Sequence, residues 1–240
     1  MKAIILAAGK SSRMYPLTLD KPKCLLELEP GKTIIDHQIN MLNKCGVKDI
    51  VVVVGYLKEK IKKILGNKAR YRDFEDFSKY NNLHTINSIK DELDGDMVIL
   101  YSDVIFGEKL LKKCLASKED FCLLVHNKGI LKDTARLTIK NNSIMDFGNH
   151  IPVEEADGNF VGIAKFSKTG AKILAEEISR MARDKKHDND YYLAAINEIA
   201  KTRKIGCAYA EGKPWIEIDF LKDYETAKKS IYPRIMLDIL

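Results

Sequence analysis

Through the first half of the chain, short apolar runs alternate with segments in which apolar residues recur at helical spacing. Ala3-Ile4-Ile5-Leu6, Ile50-Val51-Val52-Val53-Val54 and Met97-Val98-Ile99-Leu100-Tyr101 predict strands over 2–7, 50–55 and 96–101. The segments between them predict helices over 33–45 and 57–65, closed by Gly46 and Gly66, and over 84–93. This alternation is the pattern of βαβ units around a mainly parallel sheet. The second half changes character. Phe121–Val125, Ala135–Lys140, Ser143–Phe147 and Phe160–Phe166 read as strands joined by short loops, with Asn141-Asn142 as a hairpin turn. Helices over about 168–182 and 190–201, strands near 205–210 and 215–219, and a helix over about 221–230 complete the expectation. The fold class is α/β: a Rossmann-like, mixed but mainly parallel sheet flanked by helices, in a single domain 1–240 with halves of about 1–120 and 121–240.

Ligands of open parallel sheets bind beyond the carboxyl ends of the strands, so Gly9, Gly55-Tyr56 and Asp103 are expected at one crevice. The first of these segments carries the most chemistry. The first strand runs into Ala7-Ala8-Gly9-Lys10-Ser11-Ser12-Arg13, and Lys21-Pro22-Lys23 follows. Small side chains let backbone N–H groups approach an anion, and Lys10, Arg13, Lys21 and Lys23 bring charge at a density suited to a triphosphate. Two familiar phosphate motifs are excluded. A Walker A loop needs a glycine five residues before Gly9, where Ile4 stands inside the strand, and Gly9 is the only glycine before Gly31, so the spaced glycines of dinucleotide enzymes are missing.

Composition narrows the class. A 45% hydrophobic and 31% charged chain is that of a soluble globular protein, and no apolar run approaches the roughly 18–20 residues that span a bilayer. A cytoplasmic protein without membrane insertion is expected. The five cysteines are far apart with no C-x-x-C pair, which leaves neither a zinc knuckle nor a redox motif. The net charge of +6 is carried by lysines scattered along helices, as in Lys58-Glu59-Lys60-Ile61-Lys62-Lys63, not interleaved with aromatics, so no nucleic-acid partner is expected.

Leu6-Ala7-Ala8-Gly9-Lys10-Ser11-Ser12-Arg13 followed by Pro22-Lys23-Cys24-Leu25 resembles the nucleotidyltransferase signature, an L-A-A-G-x-x-x-R loop followed by P-K-x-L. Together with Gly55-Tyr56, Asp103, Phe160–Phe166 and Glu217-Ile218-Asp219, the layout is similar to the cytidylyltransferase branch of the sugar-phosphate nucleotidyltransferase superfamily, and most of all to bacterial phosphocholine cytidylyltransferases. The resemblance implies a nucleotidyltransferase type A-like fold. It also implies that CMP passes from CTP to a small phosphorylated acceptor, with Mg²⁺ as cofactor. By the same resemblance Lys10 and Arg13 bind the β/γ-phosphates, Lys23 binds the α-phosphate and its transition state, and Asp103 and Asp219 bind the metal.

The residues themselves support this chemistry and leave alternatives beside it. Nucleotidyl transfer depends on positioning and charge neutralisation. Asp103 lies just past one predicted strand and Asp219 ends another, where a pair of carboxylates suits Mg²⁺; each also reads as a helix N-cap. Tyr80–Ser88 departs from the base-binding segment of the glucose-1-phosphate enzymes. Within it Asn81 and Asn82 offer amides to a pyrimidine edge or cap a helix, while Thr85 lines the site or caps. A cationic acceptor would be held by Asp188, Asp190, Tyr191, Tyr192, Trp215 and Glu217, unless these are capping residues and core aromatics. Arg136 instead favours an acceptor with a carboxylate or second phosphate. Phosphocholine leads; an aminoethylphosphonate, a phosphorylated amino-acid amide, inositol phosphate or a sugar 1-phosphate are alternatives, and a regulatory module without turnover is the reading outside enzymes. The five histidines show no spacing of a metal site or triad.

Overall fold

The computed structural model describes residues 1–238. In chain order the first elements are β1 (Lys2–Ala7), β2 (Glu27–Glu29), β3 (Lys32–Thr33), α1 (Ile34–Lys44), β4 (Asp49–Val54), α2 (Lys58–Leu65) and β5 (Arg70–Asp73). Then come α3 (Asn82–Asn87), β6 (Met97–Tyr101), β7 (Val104–Phe106), α4 (Glu108–Leu115), β8 (Phe121–His126), β9 (Arg136–Lys140), β10 (Ser143–Phe147) and β11 (Gly158–Phe166). The last are α5 (Lys168–Met181), α6 (Leu193–Ala200), β12 (Gly206–Tyr209), β13 (Trp215–Glu217), α7 (Leu221–Thr226) and α8 (Tyr232–Leu237).

The chain forms two compact units, and they interleave where the sequence suggested halves divided near residue 120. The first contains Met1–Ser78, Ile99–Lys112 and the segment from Lys213 onward; the second contains Lys79–Val98 and Lys113–Gly212.

The first unit is built on parallel strands. β1 lies beside β4 with Lys2 opposite Asp49 and Ala7 opposite Val54, and β5 continues the parallel ladder from β4. The side chains of β1 and β4 are buried almost without interruption, as expected of strands covered on both faces. Helix α1 starts where Thr33 accepts from the Asp36 N–H, and it ends before Gly46 at φ +81°, the left-handed position that favours glycine. A separate antiparallel ribbon pairs β7 with β13, Val104 opposite Glu217 and Phe106 opposite Trp215. Its Ile105 and the adjoining Ile218 pack with Met14, Leu26, Ile34, Tyr232 and Ile235.

The second unit is mainly antiparallel, in the order β11-β8-β12-β10-β9, with only β8 and β12 parallel. β9 also pairs with the start of β11, which closes the strands on themselves. β11 serves both neighbours because its register with β8 shifts between Phe160 and Ala164, where Gly162 takes φ +83°. The β9–β10 turn is Asn141-Asn142, both at positive φ, as the hairpin reading expects.

The helix expected over about 221–230 is present and runs on to Leu237, α7 passing through a π-helical stretch at Ala227–Ile231 into α8, which has Pro233 in its first turn. Three expectations need correction. The helix expected over 84–93 stops at Asn87 and resumes only as a 3₁₀ turn at Lys90–Glu92. Asp103 caps no helix, because the strand β7 follows it. Nor does Asp219: Phe220 holds the cap position of α7.

Candidate active site

The end of β1 delivers a loop that is tied down by its own backbone. The Ala8 carbonyl accepts from the Tyr56 N–H at 2.9 Å, and the Ser11 carbonyl accepts from Thr18 Oγ1 at 2.9 Å and from the Met14 N–H at 3.0 Å. Gly55 is required here: a Cβ on it would stand 2.7 Å from the Ala8 carbonyl oxygen and 2.9 Å from that of Phe74. Ser11 itself is left-handed, at φ 52°, and leads into the short turn Ser12–Met14. Leu6, Ala7 and Ala8 are buried beneath the loop, while Gly9, Lys10, Ser12 and Arg13 lie at the surface. Lys10 Nζ stands 5.9 Å over the Phe77 ring.

Pro22 sets the chain for a 3₁₀ turn at Lys23–Leu25, whose Cys24 and Leu25 anchor in the core. Lys23 is thereby buried, with 8% of its surface exposed. Its Nζ donates to Asp103 Oδ2 at 2.7 Å, to the Ile218 carbonyl at 2.6 Å and to Asp219 Oδ1 at 3.2 Å. Asp219 Oδ1 also accepts from Arg13 at 2.8 Å. The ribbon explains the meeting of the two aspartates, since the pairing of β7 with β13 continues as the Ile218 N–H bonding to the Asp103 carbonyl at 3.0 Å. Burial alone would lower the pKa of Lys23, but the two carboxylates outweigh it and hold the ammonium above the usual lysine value. Lys23 is therefore a fixed cation. Its neighbour Cys24 is no nucleophile, because burial pushes its thiol up to about 12.

Asp103 Oδ1 is buried and has no hydrogen-bond partner within the protein. A carboxylate oxygen placed so beside a second carboxylate fits a divalent cation. Among the described residues no group of three or more His, Cys, Asp or Glu could hold a metal, so an ion at this pair would complete its shell from phosphate and water.

The second unit gathers another part of the expected set. Asn81 Oδ1 caps α3 at the Asn82 N–H (2.8 Å), and its Nδ2 donates to the Asn189 carbonyl at 3.1 Å. Asn82 Oδ1 accepts from the Tyr192 N–H at 2.7 Å. These amides join α3 to the turn before α6, which carries Asp188, Asp190 and Tyr191. Asp188 approaches His84 Nε2 at 3.4 Å, and Asp190 pairs with His187 Nδ1 at 2.6 Å. Thr85 is buried behind the cap, and Tyr191 is half exposed.

Three acceptor candidates, Tyr192, Trp215 and Arg136, are placed otherwise than the sequence suggested. Tyr192 is fully buried, a core aromatic and not a pocket wall. Trp215 is buried on the ribbon of the first unit opposite Phe106, and Glu217 lies two residues further along the same strand. Arg136 is a loop clamp. Its guanidinium donates to the carbonyls of Ile151, Lys132 and Asn149, each at 2.6 Å, so every one of its nitrogens bonds to backbone. Sequence reasoning also missed Thr18, which anchors the loop, and Asp223, whose position four residues after Asp219 at the start of α7 was the available signal.

A strand-end loop bearing cations beside a lysine clasped by two aspartates, on a parallel α/β sheet, defines a nucleotidyltransferase. The chain matches the MobA-like NTP transferase domain over residues 3–186 and belongs to that family, within its cytidylyltransferase branch. It is 32% identical to CTP:phosphoglutamine cytidylyltransferase of Campylobacter jejuni, over 94% of this chain and 98% of that one. It is 38% identical to choline-phosphate cytidylyltransferase of Streptococcus pneumoniae, over 44% of this chain and 46% of the relative. The solved CTP:phosphocholine cytidylyltransferase of S. pneumoniae shares the fold at a TM-score of 0.82 and 22% identity, covering 95% of this chain and 97% of that one. The inositol-1-phosphate CTP transferase of T. maritima does so at 0.75 and 19%, covering 96% and 97%.

Proposed function

We propose that this enzyme transfers CMP from CTP to a small phosphorylated acceptor bearing an ammonium group, phosphocholine foremost, and releases pyrophosphate. The observation that carries the reading is Lys23, held between Asp103 and Asp219 with Arg13 alongside. An acceptor phosphate oxygen attacks the α-phosphorus, a new P–O bond forms, and the bond to the bridging oxygen of pyrophosphate breaks. A phosphate monoester is already largely ionised near neutral pH, so the attack needs no strong general base. The buried ammonium of Lys23 keeps its proton throughout and neutralises charge developing on the α-phosphate. Arg13 and Lys10, exposed on the loop, bind the outer phosphates. Asp103 and Asp219 would hold Mg²⁺, which would neutralise the triphosphate and the leaving pyrophosphate.

Two observations bear on the acceptor. Each nitrogen of Arg136, the cation singled out for an acceptor carboxylate, is engaged by a backbone carbonyl, which weakens the case for such a carboxylate. The near full-length likeness to the phosphoglutamine enzyme supports a phosphorylated amino-acid amide as the second reading. The test is pyrophosphate release with Mg²⁺ for CTP, UTP, dTTP, ATP and GTP against phosphocholine, phosphoglutamine, 2-aminoethylphosphonate, inositol phosphate and glucose 1-phosphate. Release with CTP and phosphocholine is the expected result. CTP with phosphoglutamine alone selects the second reading, and turnover only with UTP or dTTP and a sugar phosphate overturns both.

A further inference from the structure

We infer that Asp223 is a positioning residue that aims Asp219, an inference resting on the reading of Asp219 as a metal ligand. Asp223 is the third residue of α7, and its Oδ2 accepts both the Asp219 N–H at 3.1 Å and the Phe220 N–H at 2.8 Å. Phe220 holds the cap position but has no side-chain oxygen to offer the helix, so the carboxylate three residues on fixes this end of the chain. The segment Ile218–Phe220 is thus pinned at successive backbone groups. The Ile218 N–H bonds to the Asp103 carbonyl, the Ile218 carbonyl accepts from Lys23 Nζ, and the next two N–H groups converge on Asp223. The buried Ile218 side chain anchors the same segment in the core. Asp219 has little freedom left except about its side-chain bonds. The Phe220 ring adds a second consequence, because it carries the Arg13 guanidinium at 5.3 Å from its centroid while Arg13 bonds to Asp219. Asp223 therefore holds the backbone of Asp219 and of the ring that supports Arg13.

The test uses the full chain with saturating CTP and Mn²⁺ as the probe, free Mn²⁺ being read by electron paramagnetic resonance. Asp223→Ala is expected to weaken Mn²⁺ binding about tenfold and lower kcat by a similar factor, with KM for CTP changed less than about threefold. Asp223→Asn, whose amide oxygen still accepts, should return to within about threefold of the native protein. A merely structural cap would lower Tm and leave Mn²⁺ affinity alone, and that result overturns the inference. Asp223→Ser keeps a polar residue at the start of the helix and replaces the alanine variant should that one not fold; native Mn²⁺ affinity in a folded serine variant overturns the inference equally. Asp219→Asn separates the two levels. If it loses Mn²⁺ binding while Asp223→Ala and Asp223→Ser retain it, only the role of Asp223 fails; if Asp219→Asn binds normally, the ligand reading fails and the inference with it.

Discussion

Each unit draws polar side chains together from distant parts of the chain, and the two gatherings end in opposite ways. In the first, the members are charges: Lys23 meets Asp103 across 80 positions and Asp219 across 196, and Arg13 meets Asp219 across 206. In the second, the members are mostly amides that close on backbone, as Asn81 does at Asn82 and Asn189 and Asn82 does at Tyr192. The two amides satisfy their partners and fix a turn, while His84 Nε2 beside them is buried without a hydrogen bond, 3.4 Å from Asp188. The charged cluster leaves a buried carboxylate oxygen, Asp103 Oδ1, without a protein partner. Buried polar groups are ordinarily hydrogen-bonded, and this exception stands beside a fixed cation, where the proposed metal would satisfy it. Neither polar clustering nor one unpartnered atom distinguishes structure from chemistry; what sets the first cluster apart is that its unpartnered atom is a carboxylate oxygen, beside a second carboxylate and a buried ammonium.

The comparison breaks most readily at Lys23. Lys23→Ala should lower kcat by about 10²–10³-fold, the range for removing one preorganised donor to developing charge, while KM for CTP moves only a few-fold. Steady-state pyrophosphate release measures both. A reduced affinity with unchanged kcat would make Lys23 a ground-state binder and remove its role at the α-phosphate.

Two glycines of the first unit sharpen the picture. Gly55→Ala forces a Cβ against the carbonyls of Ala8 and Phe74, so the loop after β1 must move, and about 1–3 kcal/mol of stability should be lost together with activity. Gly9 stands on the loop in open space, where an added methyl group would meet no heavy atom within 4 Å, and Gly9→Ala should cost little stability. Chemical denaturation of both variants tests the contrast. Equal losses would mean that the loop is not held through Gly55.

In the second unit, Asn81→Ala removes the cap of α3 and one tie to Asn189, for about 1 kcal/mol. If Asn81 is purely structural, the unfolding midpoint falls and KM for CTP stays. A rise in KM for CTP with unchanged preference for other acceptor phosphates would give Asn81 a part in base recognition as well, and would erase the contrast with Lys23.

How far the sequence discloses these clusters follows from their construction. The N-terminal loop was legible because strand, small residues and cations are consecutive, and α1 because its cap, period and terminal glycine agree. The meeting of Asp103 with Asp219 was only anticipated, since the ribbon that creates it pairs the expected strand near 215–219 with Val104–Phe106, three residues, too few for alternation to register. β5, Arg70-Tyr71-Arg72-Asp73, is a polar strand at the end of the parallel ladder and carries no apolar signal. Aromatics such as Tyr192 and Trp215 are ambiguous in principle, because a ring that walls a pocket and one that fills a core have the same composition. Arg136 misled for a related reason: a guanidinium matches three carbonyls as well as it matches a carboxylate, and only the fold shows which it meets.

The smallest expected effect concerns a polar group of the first unit that behaves like those of the second. His37 is buried on α1, its ring edge-on to Tyr232 at 5.4 Å, and its Nε2 lies 2.8 Å from the Phe106 carbonyl. A carbonyl only accepts, so Nε2 carries the proton and donates. Burial lowers the pKa of this imidazole below 6.5 more than the bond to Phe106 raises it, and the folded protein therefore prefers the neutral ring. The stability this preference contributes is complete above the unfolded value of 6.5 and is lost as pH falls from there through the folded pKa. Thermal unfolding between about pH 7.5 and 5 should show a decline that is shallower in His37→Gln, whose amide can donate to the same carbonyl without titrating. The decline matters to the site because Phe106 ends β7, the strand that begins next to Asp103, so protonation of His37 would loosen the ribbon from its far end. Identical slopes in the two proteins would show that His37 is not the titrating group and that the ribbon is held independently of it.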